Sequence, residues 1–121
     1  KHNLKRKLNV ISSLVKDKNI IIVDDSIVRG NTMNHIVELL KQTKVGKITV
    51  VSAAPEIVNK NIYGLDIPTK GELISHHYTP KELAKNYGVE HVVFQDIENL
   101  YKTITFYNKN ISQLEVSIFK K

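Results

Sequence analysis

The sequence predicts an α/β fold in which a parallel sheet is flanked by helices. Two apolar runs, from Asn19 to Val23 and from Ile48 to Val51, are separated by a segment with helical spacing of apolar residues. Continuous β-branched runs are typical of strands that are covered on both faces of a parallel sheet. Strand, helix and strand over about 30 residues form a βαβ unit, which is expected to cross over with a right hand.

The N-terminal elements follow from local signals. Residues 1–18 are polar and basic with scattered apolar side chains, which predicts a short helix or a mobile arm. Gly30 is expected to form a turn, with Asn31 or Thr32 as the N-cap of a helix that ends at Gly46. The apolar residues of this helix recur at helical spacing, and they are Met33, Ile36, Val37, Leu39 and Leu40.

The C-terminal elements are marked by capping and turn residues. The second strand is expected to end at Ser52–Pro55, and residues 56–79 are expected to be irregular. A helix opened by Thr79 and Pro80 and stopped by Gly88 should follow, and then a strand at 91–94. The last elements are expected to be a helix from Asp96 or Asn99 to about Tyr107 and an edge strand at 114–119. Three parallel strands make a small sheet with exposed edges. The chain is therefore expected to be part of a larger domain.

Composition excludes several classes of protein. The chain has 121 residues, of which 41% are apolar, so it is expected to form one packed domain. It has no Cys, which excludes disulfides, thiolate metal sites and a cysteine nucleophile within this chain. No apolar run approaches the roughly 18 residues of a membrane span, and no apolar stretch follows the basic N-terminus as in a signal peptide. A soluble, reducing, cytoplasmic setting is expected.

The net charge of +6 raises the possibility of nucleic-acid binding. However, the basic residues are sixteen Lys and two Arg spread along the chain, and the aromatic residues do not interleave with them. A solvated Lys surface with a site for a small polyanion explains the charge equally well, so nucleic acid is not the expected partner.

The residues that leave the first strand carry the chemistry, and we call residues 24–32 the Asp-Asp loop. Ligands of open α/β sheets bind beyond the carboxyl ends of the strands. Asp24 and Asp25 could accept from the two vicinal hydroxyls of a ribose, and could hold Mg²⁺. The rest of the loop runs into a helix N-terminus, which favours an anion such as phosphate. The candidate ligand-binding residues are Asp24, Asp25, Ser26, Ile27, Val28, Arg29, Gly30, Asn31 and Thr32.

The plainer alternative is a strand end with two solvated Asp residues and an ordinary capped helix. The combination of apolar strand, two carboxylates, Gly30 and a hydroxyl at the helix start is more specific than that. No G-x-x-x-x-G-K-[ST] loop and no Rossmann fingerprint occurs.

The stretch from Ile20 to Thr32 resembles the binding motif for phosphoribosyl pyrophosphate (PRPP) of type I phosphoribosyltransferases. Further motifs follow at the spacing found in the amidophosphoribosyltransferase family, and they are Arg6–Asn9, Val23–Gly30, Ser52–Glu56, Tyr63–Asp66, Glu72–Ile74 and Phe94–Asp96. Leu114–Phe119 is similar to the start of that family's C-terminal segment. The resemblance covers essentially the whole chain.

The resemblance implies a type I phosphoribosyltransferase-like sheet and a glycosyltransferase of purine biosynthesis. Such an enzyme forms 5-phosphoribosylamine and pyrophosphate from PRPP and glutamine-derived ammonia, with Mg²⁺ as cofactor. It implies purine nucleotides as feedback ligands, a homo-oligomer, and a glutaminase domain with an N-terminal cysteine, which is absent from this chain. Because the chain has no Cys, it resembles the family branch that lacks an iron–sulfur cluster.

The resemblance also implies a division of the chain. Residues 1–121 would be the C-terminal portion of the phosphoribosyltransferase domain. Within it, residues 1–18 would end a flexible loop or form a helix, residues 19–107 would be the βα core, and residues 108–121 would be an edge segment. The chain alone would then be inactive.

Carried over residue by residue, the resemblance assigns the ribose hydroxyls and the metal to Asp24 and Asp25, and the 5-phosphate to residues 26–32. Lys7 matches a lysine at the end of the family's flexible loop, where it would act as a pyrophosphate-side cation; otherwise it is a surface lysine. Arg29 would aid phosphate binding or pair with an acidic neighbour.

Other positions leave alternatives open. Ser52–Pro55 would line the nucleotide site or simply end the strand, and His76 and His77 are expected at the surface. Asn31 stands where the family usually has Thr, and Val58 and Lys60 stand where Arg and Pro are common, so the loop after Pro55 is expected to differ.

Two other functions compete with this one. A non-catalytic module could use the same fold to sense PRPP or a nucleotide. A different phosphoribosyltransferase, acting on a nucleobase, is the third possibility, although the segments after Val51 argue against it.

Overall fold

Three parallel strands form the centre of the structure, a computed structural model that describes residues 2–60 and 69–119. They are β1 (Ile20–Asp24), β2 (Ile48–Ser52) and β3 (His91–Phe94), in the spatial order β1-β2-β3. The register places Asp24 opposite Ser52, and Ser52 opposite Phe94. All three strands therefore end at the same edge of the sheet, and the predicted α/β parallel sheet is confirmed.

Five α-helices accompany this sheet in the described residues, and they are α1 (His2–Val15), α2 (Asn31–Lys41), α3 (Ile74–His77), α4 (Pro80–Tyr87) and α5 (Ile97–Tyr107). Short 3₁₀ segments lie at Lys70–Glu72 and Ser117–Phe119. None of the helices in the described ranges is long and apolar enough to cross a membrane.

The core lies between one face of the sheet and helices α2 and α4. Apolar side chains of both helices pack there against alternate residues of the strands, and the most deeply buried are Met33, Val37, Val50 and Leu83. Burying one such side chain stabilises the fold by about 1.5–3 kcal/mol. This packing fixes the position of α2, whose N-terminus forms part of the candidate site.

The opposite face of the sheet is open among the described residues. Ile21 and Val23 are each 68% exposed, and Val93 is 48% exposed. The prediction that β1 is covered on both faces is therefore wrong for this part of the chain. The reason is that α2 and α4 pack on the same face, and side chains alternate between the two faces along a strand.

Two predicted boundaries of α2 are wrong. The helix ends at Lys41 rather than at Gly46, and its N-cap is Gly30 rather than Asn31 or Thr32. Gly46 instead lies where the chain turns back toward β1, and its N–H donates to the Lys18 carbonyl at 2.8 Å.

The predicted edge strand at residues 114–119 is also wrong. Ser117–Phe119 forms a 3₁₀ turn, and the Ile118 carbonyl accepts from the N–H groups of Val58 and Asn59 at 2.7 and 3.1 Å. Two donors on one carbonyl do not form a strand ladder, so the alternating pattern reflects packing such as that of the buried Val116.

The predicted ends of α4 and α5 are confirmed. Thr79 Oγ1 accepts from the Glu82 N–H, with Pro80 at the first helical position and Gly88 as a left-handed C-cap. Asp96 Oδ1 accepts from the Asn99 N–H at 3.0 Å. The segment predicted as irregular contains 3₁₀ and α-helical turns at 70–77, and the Tyr63–Asp66 motif lies outside the described residues.

We expect Leu83→Ala to lower the free energy of unfolding by about 2–5 kcal/mol, because it opens a cavity beneath the sheet. Leu14→Ala is the matched control, since Leu14 is exposed on α1; its change should stay within roughly 0.5 kcal/mol. Urea unfolding measures both, and equal losses in the two variants would contradict the assigned core.

Candidate functional site

A cavity of about 490 Å³ opens at the carboxyl end of β1. It is lined by Asp24, Asp25, Ser26, Ile27, Val28, Arg29, Gly30, Asn31, Thr32 and Met33. All nine residues that were predicted from the Asp-Asp loop therefore line one cavity, together with Met33 from the core face of α2.

The two carboxylates are held by the backbone around them. The Ala53 and Ala54 N–H groups, which follow β2, donate to the carbonyls of Asp24 and Asp25, each at 2.9 Å. The Asp25 N–H donates to Asp24 Oδ1 at 2.9 Å, and Ser26 Oγ donates to Asp25 Oδ1 at 3.2 Å. The second oxygen of each carboxylate has no donor among residues 2–60 and 69–119, so it can accept from a ligand.

The remainder of the Asp-Asp loop presents unpaired backbone donors. No side chain caps α2. The N–H groups from Ser26 to Met33 have no acceptor within the described part of the chain, and the first helical bond is from the Asn34 N–H to the Gly30 carbonyl at 3.0 Å. Unpaired N–H groups and the helix dipole together favour an anion at this point.

Gly30 shapes the loop through its left-handed backbone, with φ of 80°. A Cβ at this position would lie 2.6 Å from the Tyr87 hydroxyl oxygen and 3.1 Å from Ile74 Cγ1. The Tyr87 hydroxyl donates to the Gly30 carbonyl at 2.9 Å, and the Ile74 N–H donates to the Val28 carbonyl at 2.9 Å. Helices α3 and α4 thus hold the loop from the core side.

Sequence reasoning missed Tyr87 and Ile74. Tyr87 lies at the end of the predicted helix that Gly88 stops, and no local pattern links it to Gly30, which is 57 residues away in the chain. A buried tyrosine requires a hydrogen-bond partner, which is a weak signal of such a contact but does not identify the acceptor.

Arg29, which also lines the cavity, pairs with an acidic neighbour, and Ser52 stabilises the end of its strand. Arg29 Nε lies 3.7 Å from Glu72 Oε1, and both side chains are about half-exposed, so this pair is worth at most about 1 kcal/mol. Ser52 is buried, and its Oγ donates to the Ala54 carbonyl at 2.7 Å, which stabilises the strand end.

The other candidate residues lie away from the cavity or have side chains that the structure does not describe. His76 and His77 are exposed, and their Nε2 atoms lie 2.6 Å from the carbonyls of Val58 and Gly71. Lys7 lies on α1, but its side chain is outside the part of the chain that the structure describes. Within that part, no group of three or more His, Asp or Glu side chains converges as a metal site.

Comparison with known proteins identifies similar domains. The family model described as phosphoribosyl transferase domain matches residues 3–70. The chain is 45% identical to the amidophosphoribosyltransferase of Pasteurella multocida and 39% identical to that of Escherichia coli, in each case over 97% of this chain and 23% of the relative. The chain therefore spans less than a quarter of the length of these relatives.

Two solved structures share the fold. The glutamine PRPP amidotransferase from B. subtilis, complexed with ADP and GMP, matches 89% of this chain and 22% of its own, with a TM-score of 0.72 and 30% identity. The structure of an allosteric regulatory enzyme of purine biosynthesis matches 90% of this chain and 24% of its own, with a TM-score of 0.78 and 28% identity.

We expect Gly30→Ala to lower the free energy of unfolding by about 1–3 kcal/mol, since a left-handed backbone and the Tyr87 hydroxyl both oppose a Cβ. Gly71→Ala is the control, because no described atom lies within 4 Å of a Cβ built at Gly71. Equal denaturant midpoints for the two variants would show that the loop relaxes freely around residue 30.

Burial raises the pKa of the Tyr87 hydroxyl from 10.0 to about 12. Because the folded pKa exceeds the unfolded value, the protonated hydroxyl contributes stability that is fully present below about pH 10 and is lost as the pH rises toward 12. Ultraviolet titration of tyrosinate should show a component with a pKa near 12 that is missing in Tyr87→Phe. Superimposable titrations of the two proteins above pH 10 would contradict this.

Proposed function

Since the chain belongs to the phosphoribosyl transferase domain family, we propose that the cavity at the Asp-Asp loop binds the ribose 5-phosphate group of PRPP. One observation carries the proposal. A pair of carboxylates with free oxygens stands beside eight consecutive backbone N–H groups that lack acceptors among the described residues. Acceptors for a diol next to donors for a phosphate match the two ends of this ligand.

Each end of the cavity has a distinct role. Asp24 and Asp25 accept from the vicinal ribose hydroxyls and fix the orientation of the sugar. Residues 26–32 donate backbone N–H groups to the 5-phosphate, and the hydroxyl of Thr32 adds a donor. Hydrogen bonds to charged groups contribute about 1.5–3 kcal/mol each, so this phosphate end supplies much of the binding energy.

The carboxylate pair also fits Mg²⁺. This ion prefers oxygen ligands and is commonly held by one or two carboxylates together with water and substrate phosphates, which agrees with two adjacent Asp residues. When bound, Mg²⁺ would stabilise negative charge on the departing pyrophosphate. Asp24 and Asp25 are the residues that would hold it.

We infer that the chain is the C-terminal portion of a phosphoribosyltransferase domain in an amidophosphoribosyltransferase. The supporting observations are the identity with such enzymes and the short share of their length that the chain spans. The whole protein would join ammonia from glutamine to the anomeric carbon of PRPP and release pyrophosphate. Its glutaminase domain would supply the ammonia, Lys7 would act as a pyrophosphate-side cation, and residues 1–121 alone would bind PRPP without turnover.

A second function is a module that binds PRPP or a nucleotide without catalysis. The observation that favours it is the B. subtilis relative, which was solved with ADP and GMP. Ammonia-dependent formation of pyrophosphate by the whole protein would exclude this second function, whereas saturable nucleotide binding with no turnover would support it.

We expect Asp25→Asn to weaken binding of PRPP with Mg²⁺ by roughly 10- to 100-fold, because it removes a charged acceptor of the ribose hydroxyls and of the cation. Isothermal titration calorimetry measures the change. Asp17→Asn is the matched control, since Asp17 is exposed in the turn between α1 and β1. Its backbone is left-handed, which Asn tolerates. Identical affinities in the two variants would remove Asp25 from the site.

A further inference from the structure

We propose that Tyr87 is a positioning residue that holds the N-terminus of α2 in the orientation needed to bind the 5-phosphate. The inference rests on the proposed function of the same cavity, and it adds a residue that does not touch the ligand. Tyr87 would act through the Gly30 peptide.

Tyr87 contacts both ends of α2. It is the last residue of α4 and is 4% exposed. Its hydroxyl donates to the carbonyl of the N-cap residue Gly30 at 2.9 Å, and its own carbonyl accepts from Nζ of Lys41, the last residue of α2, at 2.5 Å. One residue thus braces an 11-residue helix against displacement along its axis.

The hydroxyl contact controls the direction of a donor. In a trans peptide the C=O and the following N–H point in opposite directions within one plane. The Gly30 carbonyl is directed toward the core, where it accepts from the Tyr87 hydroxyl and from the Asn34 N–H. The Asn31 N–H must therefore point away from these groups, on the side where Asn31 lines the cavity.

The same contact explains why residue 30 must remain glycine. A Cβ on Gly30 would lie 2.6 Å from the Tyr87 hydroxyl oxygen, so the hydroxyl can reach the carbonyl only when residue 30 lacks a side chain. Tyr87 and Gly30 form one unit, in which the tyrosine supplies the donor and the glycine supplies the space.

The role of the hydroxyl is separable from that of the ring. Tyr87→Phe keeps the ring in the core and removes only the donor. Tyr101→Phe is the matched control, because the Tyr101 hydroxyl also donates to a backbone carbonyl, that of Leu114 at 3.2 Å, outside the cavity.

The test is calorimetric titration of ribose 5-phosphate and of ribose into wild-type protein and both variants. Loss of one neutral hydrogen bond is worth about 0.5–1.5 kcal/mol, so Tyr87→Phe should weaken ribose 5-phosphate binding roughly 2- to 13-fold. The effect on unphosphorylated ribose should be smaller, and Tyr101→Phe should match wild type. Exchange of the Asn34 amide hydrogen, which is bonded to the Gly30 carbonyl, should be faster in Tyr87→Phe alone.

The outcomes separate this inference from the proposed function. If wild type binds ribose 5-phosphate and Tyr87→Phe binds it equally well with unchanged exchange, Tyr87 has no positioning role, although the proposed function stands. If wild type itself does not bind, the proposed function fails and this inference fails with it. Equal losses for ribose and ribose 5-phosphate would assign Tyr87 a general structural role and would also overturn the inference.

A second variant keeps the inference testable if Tyr87→Phe does not fold. Lys41→Met removes the other half of the brace and keeps the hydroxyl. It should produce the same phosphate-dependent loss in smaller measure, and a Lys41→Met protein with wild-type affinity for ribose 5-phosphate would contradict the brace.

Discussion

The left-handed backbone of Gly30 is the constraint on which the candidate site depends. With φ at 80°, the chain leaves the sheet, turns and enters α2 without a side-chain cap, so the first N–H groups of the helix remain unpaired within the described residues. A Ser, Thr or Asp cap would satisfy one of these donors internally. Because Gly30 leaves them free, an anion could take the place of the cap, and in the proposed function the adjacent carboxylates select an anion that carries hydroxyl groups.

The parallel register places this turn beside the other parts of the site. Asp24 lies opposite Ser52, so the residues after β2 donate to the carbonyls of Asp24 and Asp25 and support the loop from the side. Helices α3 and α4 support it from the core, through Ile74 and Tyr87. The loop that lines the cavity is thus hydrogen-bonded to the rest of the fold on two sides.

Features with local signals could be predicted from the sequence, and features decided by distant contacts could not. The three parallel strands and the caps at Thr79 and Asp96 depend on neighbours within a few positions, and the structure agrees with them. The nine residues of the Asp-Asp loop line one cavity, and their binding roles stay a prediction. The N-cap at Gly30 was missed because capping preferences favour Asn and Thr, whereas the deciding partner, Tyr87, is distant in sequence. The uncovered face of β1 was missed because strand patterns report apolarity and not what packs on it. The exposed Ile21 and Val23 agree with the proposal that the chain is one part of a larger domain.

The most direct test of the central claim is a titration of ¹⁵N-labelled protein with ribose 5-phosphate, followed by the chemical shifts of backbone amides. If the cavity binds this group, saturable shifts should concentrate at residues 26–33, the amides that have no acceptor among the described residues. Ribose without phosphate should leave most of these shifts unchanged. Shifts that are absent there, or that concentrate on the Lys-rich surface and scale with phosphate concentration alone, would contradict the account.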